Sequence, residues 1–274
     1  MTDGRTGYAP VNDLNMYYEV HGVGEPLLLL HGAYMTVDMM GPLLSGLARQ
    51  RRVIAPEAHG HGRTGDADRP MTYPQLADDA AALLRHLGVE RADVVGYSLG
   101  GATAVQLGVR HPELVRRLVV ISAGFSSDAA PAEAQAVFET MTPEMFAGTP
   151  MEHAYQQLAP KPEDFPKLVE KITVLDTTPF DWADDVRGMT APTLVVVGDS
   201  DGSTLEHSVE FFKLRGGGVM GDLVGLPESQ LAVLPGTTHF VPPGYGMLDR
   251  HEWLLPMIAR FLDPPEPPPG PPSM

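Results

Sequence analysis

The chain has 274 residues, 43% hydrophobic and 20% charged, which is enough to bury one sizeable core. Nineteen basic against thirty-five acidic side chains give a formal net charge of −16, which repels phosphate backbones and anionic lipid surfaces and makes nucleic acid and membrane poor partners. Cysteine is absent, which removes disulfides, thiolate metal sites and cysteine nucleophiles together.

Taken in chain order, apolar runs of strand length fall near Met16 to Val20, Pro26 to Leu30, Val53 to Ala55, Asp93 to Gly96, Leu118 to Ile121, Thr193 to Val197 and Leu231 to Leu234. Helix-like stretches stand between or after them near Met39 to Arg49, Tyr73 to Leu87, Leu99 to His111, Ser203 to Arg215 and Leu248 to Leu262. This alternation predicts an α/β fold, a mostly parallel sheet flanked by helices, with functional loops gathered at the C-terminal ends of the strands. From Phe125 to about Met189 the alternation breaks into proline-punctuated helical pieces with no convincing strand. We therefore expect a core made of residues 1–124 and 190–263 and an inserted helical lid over 125–189. The segment Arg215 to Asp222 is glycine-rich but lacks the Lys-Ser/Thr ending of a phosphate loop, and reads as a flexible connection. The mostly proline stretch Pro264 to Met274 predicts an extended, exposed tail. No run of eighteen apolar residues occurs, and Met1-Thr2-Asp3-Gly4 does not open a charged and then apolar leader. The expectation is a cytoplasmic protein without a spanning helix or signal peptide.

Chemistry enters at Gly96-Tyr97-Ser98-Leu99-Gly100-Gly101, a serine between glycines on a strand-to-helix corner. Glycines two before and two after the serine let the chain turn sharply enough to present its hydroxyl above the sheet, the arrangement of a nucleophile elbow. A serine hydroxyl needs a histidine to take its proton and a carboxylate to orient that histidine. Both follow later in the chain. Pro192 to Val197 ends in Gly198-Asp199-Ser200-Asp201-Gly202, which puts two carboxylates in a loop leaving a strand. The run Leu231 to Leu234 is followed by Pro235-Gly236-Thr237-Thr238-His239-Phe240, which does the same for a histidine.

With these motifs in the order Ser, Asp, His, the chain resembles the α/β-hydrolase family from about Asn15 to Asp263. The resemblance implies a triad of Ser98, His239 and Asp201. It selects Asp201 because family members most often carry the acid three residues after the glycine that closes this strand. Asp199 is then a turn- or helix-capping residue, and Asp128 a distant third choice. It further implies that His31-Gly32-Ala33-Tyr34 forms the oxyanion loop, with the backbone N–H groups of Ala33 and Leu99 as donors. Two positions depart from the family pattern: Glu57 stands where Asp is usual and His59 where Arg is usual, which leaves the packing under His239 open to differ.

A serine at the elbow argues against the dehalogenase and epoxide hydrolase branches, which use an aspartate there. The expected activity is cleavage of carboxylic esters through an acyl-enzyme. Lactone opening, perhydrolase or haloperoxidase-like chemistry and carbon–carbon bond hydrolysis would use the same residues. A small-molecule-binding module without turnover is the alternative from another class. Tyr34, Met35, Tyr97 and Phe240 adjoin the catalytic backbone, and the lid contributes Phe146 and Trp182, as candidates to line the substrate pocket. His31, His59 and His61 lack the helical i, i+4 spacing of a zinc motif, so neither metal nor other cofactor is expected. They read as packing behind the oxyanion loop or hydrogen-bonding within their own loop. His86, His111, His153, His207 and His251 read as structural. Nothing in the sequence fixes the oligomeric state.

Overall fold

Successive residues of the central strands point to opposite faces, and both sets are apolar, so this sheet has to be covered twice. The computed structural model describes residues 4–265 and shows how. Strands β1 (Arg5–Val11), β2 (Leu14–His21), β3 (Pro26–Leu30), β4 (Arg52–Pro56), β5 (Ala92–Tyr97), β6 (Val115–Ile121), β7 (Thr193–Ser200) and β8 (Gln230–Thr238) form one sheet in the order β1-β2-β4-β3-β5-β6-β7-β8. The pairs β1–β2 and β2–β4 are antiparallel, and every pair from β4–β3 to β7–β8 is parallel.

Leu28, Val94, Leu118, Val120 and Val195 look to one face and pack with residues of α2 (Tyr73–His86), α3 (Leu99–Arg110) and α8 (Leu205–Leu214). Their sequence neighbours Leu27, Val95, Val119, Leu194 and Val196 look to the other, against α1 (Gly41–Leu47) and α10 (His251–Leu262). Each fully buried leucine or valine contributes roughly 1.5–3 kcal/mol, so this double alternation fixes the register, because a one-residue slip would exchange two differently shaped sets.

Some element ends differ from the sequence expectation. Strand β1 was not anticipated: it is an edge strand in which Gly7 and Pro10 interrupt the apolar pattern, and an edge is where a sheet tolerates proline. The helix expected over Met39 to Arg49 is divided at Gly41, whose φ of +40° separates a 3-10 turn, Val37–Met40, from α1. Helix α8 starts at Leu205 because Thr204 caps it, accepting from the His207 N–H at 3.3 Å. The loop expected over Arg215 to Asp222 runs into a single-turn helix, α9 (Gly221–Val224).

Between β6 and β7 lie α4 (Ala132–Phe138), α5 (Pro150–Leu158), α6 (Phe165–Thr177) and α7 (Ala183–Gly188), with 3-10 turns before α4, α5 and α6. The two ends of this stretch are stitched together: Ser127 N–H donates to Phe180 O at 3.0 Å, Trp182 N–H to Phe125 O at 2.9 Å, and Ser126 bridges Asp181. A third apolar cluster, including Phe146, Tyr155, Phe165, Leu168 and Ile172, joins these helices to Tyr73, Leu99 and Ala102 of the layer below. Among the described residues no helix is long and apolar enough to cross a membrane. The proline-rich tail expected beyond Pro264 lies, past residue 265, outside the described residues.

Candidate active site

Ser98 sits between β5 and α3 with φ +54° and ψ −119°, a backbone conformation that costs on the order of 1–3 kcal/mol and persists only where its surroundings enforce it. The glycines supply the enforcement. A Cβ on Gly96 would lie 2.1 Å from the Gly100 carbonyl oxygen, and one on Gly100 would lie 2.3 Å from that of Leu30. The turn closes so tightly that backbone meets backbone at both places. Ser98 N–H donates to Ile121 O at 2.9 Å, which ties the corner to β6.

The acid arrives at the end of β7. Asp201 Oδ2 accepts from the Ser122 hydroxyl at 2.5 Å and from Gly198 N–H at 3.0 Å; Oδ1 accepts from Gly202 N–H at 2.6 Å and from His239 Nδ1–H at 2.7 Å. Burial alone would raise this carboxyl, but the hydrogen bond and charge of His239, with the Ser122 and Gly198 donors, hold it below the ordinary carboxylate range. With its proton on Nδ1, His239 presents Nε2 to accept from Ser98 Oγ–H at 2.9 Å. Proton transfer from Ser98 to His239 would thus be direct, and the imidazolium it creates would be stabilised by a carboxylate already held ionised.

Asp199, two residues earlier, does something else. It accepts from Gly236 N–H at 2.9 Å and Thr237 N–H at 3.2 Å, and these backbone bonds hold its carboxyl low while it braces the strand that delivers His239. Asp128 lies in a 3-10 turn, Ser127–Ala129, and has no contact with His239 in the hydrogen-bond network.

The ring of Tyr97 stacks on His239, and its hydroxyl donates to the His239 carbonyl at 2.7 Å. Packing under the histidine is therefore set by Tyr97. The two family departures act elsewhere: Glu57 accepts from Arg63 and Val37 N–H, and His59 pairs with Asp66 at 2.8 Å. His31 donates from Nδ1 to Gly32 O at 2.8 Å and accepts at Nε2 from Ala58 N–H at 3.0 Å, so it fixes the loop that carries Ala33. His61 bonds to His59 O at 2.9 Å. Burial holds both rings neutral, with His31 pushed down to about 4 and His61 to about 3. His207 is also buried, accepts from Phe125 N–H at 3.1 Å and stacks on that ring, which anchors the start of the inserted helices to α8.

A cavity of about 860 Å³ opens above Ser98. Ala33 and Leu99 border it, and Leu99 is the first residue of α3, where an N–H has no carbonyl of its own helix to bond. Tyr34, Met35, Tyr97 and Phe240 all line it. Phe146 and Trp182 do not. Phe146 packs behind Tyr34, ring centroids 4.4 Å apart, and Trp182 is stacked on Phe180 at 4.2 Å with its edge to Tyr73. Their bulk supports the wall from behind; Phe138, Met141 and Phe180 are among the inserted residues that reach the space itself.

Two polar residues of the site were not anticipated. Ser122 follows β6 with φ +54°, and a lone serine after a buried strand carries no spacing signal. Asp176, in the last turn of α6, lines the cavity, and burial raises its carboxyl to about 7 against the opposing pull of His239. It did leave a trace in the sequence: Leu168, Ile172 and Asp176 follow at i, i+4, i+8, which puts a carboxyl on the apolar face of its helix.

Comparison with known proteins adds the decisive context. The family model described as alpha/beta hydrolase fold matches residues 25–171, more than half of the chain. The chain belongs to the alpha/beta hydrolase fold family. Within that family, a stretch of 110 residues, 38% of this chain and 39% of the relative, is 42% identical to 2-hydroxymuconate semialdehyde hydrolase of Pseudomonas sp. (strain CF600). The matches to curated relatives span under half of those proteins' length. Among solved structures, the enol-lactonase from Burkholderia xenovorans LB400 superposes with a TM-score of 0.68 at 19% identity, over 93% of this chain and 99% of that one. A thermophilic esterase from Thermogutta terrifontis does so with a TM-score of 0.70 at 22% identity, over 95% and 98%. At those identities the likeness is one of fold. The names of these relatives differ in the substrate they give: a semialdehyde hydrolase, an enol-lactonase and an esterase.

Proposed function

We propose that this hydrolase cleaves carboxylic esters that carry no negative charge through an acyl-enzyme on Ser98. His239 takes the Ser98 proton as the oxygen attacks the ester carbonyl, the N–H groups of Ala33 and Leu99 receive the negative oxygen of the tetrahedral intermediate, and His239 returns the proton to the departing alcohol. A water molecule, deprotonated by the same imidazole, then attacks the acyl carbonyl and frees the acid. Asp201 orients the imidazole throughout. The helices of 125–189 act as the lid over this chemistry. The observation that carries the proposal is the unbroken chain from Ser98 Oγ through His239 to Asp201, 2.9 and 2.7 Å, at the floor of an open cavity.

The charge of the cavity supports neutral over anionic substrates. Its lining includes the acids Glu133, Asp176 and Asp201 and, among the described residues, neither lysine nor arginine. A carboxylate substrate, such as the 2-hydroxymuconate semialdehyde named for the Pseudomonas relative, would meet like charge without a counter-ion, which disfavours the carbon–carbon reading. Lactones are neutral esters and remain within the class proposed.

A chain-length series of p-nitrophenyl esters, with simple lactones beside it, tests this in the wild type and Ser98→Ala. Turnover by the wild type that disappears in the variant is the expected result, and the preferred chain length measures the acyl space. Turnover surviving in Ser98→Ala would remove the covalent mechanism.

A further inference from the structure

Asp176 is a carboxyl without an evident structural purpose. It lies in the last turn of α6, where the partial negative charge of the helix terminus opposes its ionisation. Among the described residues no salt bridge or hydrogen bond reaches its carboxyl, and no lysine or arginine lines the cavity it faces. Its helix is nevertheless held firmly. Lys171, one turn and a half earlier, pairs with Asp66 at 2.6 Å and donates to Ala67 O at 2.7 Å, while Leu168, Ile172 and Leu175 are buried in the cluster beneath. Helix α6 therefore presents the carboxyl to the cavity in a fixed place, at a cost that an asparagine or alanine there would not incur.

The surroundings are those that favour a positive charge. Tyr34 and Tyr73 both line the cavity and both sense the Asp176 carboxylate, which together with burial raises their phenols. Phe180 completes the wall, its ring 5.3 Å from that of Tyr73. A cavity that holds a carboxylate and aromatic rings together attracts an ammonium group by charge and by the ring quadrupole at once. We propose that Asp176, with Tyr34 and Tyr73, forms a subsite for an alkylammonium group, so that the preferred substrates of this enzyme carry a positively charged amine. This rests on the cavity being the substrate pocket. When such a group binds, its charge holds the carboxyl ionised and replaces the counter-ion that the protein lacks.

Binding can be read without turnover. Calorimetric titration at pH 8 of the wild type and of Asp176→Asn with hexylammonium, hexanol and hexanoate separates charge from apolar contact. The wild type should bind hexylammonium about tenfold or more tightly than hexanol and hexanoate more weakly than either, and Asp176→Asn should bring hexylammonium to within about threefold of hexanol. Removing a carboxylate that has no protein counter-ion should leave the variant melting no lower than the wild type, so it reports on binding rather than folding. Equal affinity of the wild type for hexylammonium and hexanol, no binding of hexylammonium, or an unchanged preference in Asp176→Asn would each overturn the proposal. These results stand apart from ester turnover: a failed Ser98 test would leave the subsite in place, and a failed titration would leave the hydrolase.

Discussion

The rings of Tyr97 and His239 lie face to face, centroids 5.3 Å apart and planes 28° from parallel, and the Tyr97 hydroxyl reaches back to donate to the carbonyl of the same histidine at 2.7 Å. The residue just before Ser98 thereby sets the height of the His239 imidazole from both its ring and its backbone. Tyr97→Phe keeps the stack and loses the hydrogen bond. The backbone of His239 then has more freedom than proton transfer over 2.9 Å tolerates, and kcat should fall by about threefold to tenfold while KM changes little. Steady-state kinetics on a p-nitrophenyl ester would show it, and an unchanged kcat would mean that the loop is held by other contacts.

Ser122 gives the strictest test of the carboxylate's setting. Its hydroxyl donates to Asp201 Oδ2 at 2.5 Å from a backbone with φ +54°. Ser122→Ala withdraws one of the donors that hold the carboxylate ionised, without touching Ser98 or His239. The loss of a hydrogen bond to a charged group, about 1.5–3 kcal/mol, predicts a roughly tenfold to hundredfold fall in kcat/KM. Melting temperature should change far less, because Asp201 retains Gly198 N–H and Gly202 N–H.

The elbow glycines make a stability prediction. A methyl group at residue 100 would be placed 2.3 Å from the Leu30 carbonyl oxygen, a backbone atom that cannot turn aside. Gly100→Ala should cost about 3 kcal/mol or more, read by urea unfolding, or yield no folded protein. Gly188→Ala is the matched control, since a Cβ there meets nothing within 4 Å.

Buried histidines set part of the acid stability, His31 and His61 among them. Unfolded, each titrates near 6.5; folded, His31 is held near 4 and His61 near 3 by burial. Below about pH 6.5 the unfolded chain binds protons that the folded chain refuses, so these sites favour folding fully above that pH and lose the advantage as it falls. Asp176, raised to about 7, pulls the other way over part of the window, so the sign is read from a difference. The stability gap between wild type and His61→Gln should shrink by about 2 kcal/mol from pH 7 to pH 5, as 1.5 pH units below 6.5 imply. A gap independent of pH would show that His61 is not held neutral.

Much of this was legible in the sequence because backbone geometry left residue-type marks. Glycines at 96 and 100 are demanded by contacts to carbonyl oxygens, and the double apolar alternation of β3, β5, β6 and β7 announces a sheet covered on both sides. Strand β1 escaped because an edge strand needs only one apolar face, and Gly7 and Pro10 dilute that. Phe146 and Trp182 were misplaced for a related reason: an aromatic residue in a helix records that it is buried, not on which side of the pocket wall. Ser122 acts through long-range proximity to Asp201, which no local pattern carries, whereas Asp176 left only the mark of a carboxyl on the apolar face of its helix, with nothing local to say what that face borders.

The account turns on a covalent bond to Ser98. Rapid mixing with an excess of a short p-nitrophenyl ester, followed by acid quench and peptide mass mapping, looks for that bond directly. The account predicts a mass increase equal to the acyl group on the peptide containing Ser98, at up to one equivalent and absent in Ser98→Ala. Sustained turnover with no acylated Ser98 peptide at any quench time, or acylation at a different residue, would contradict it.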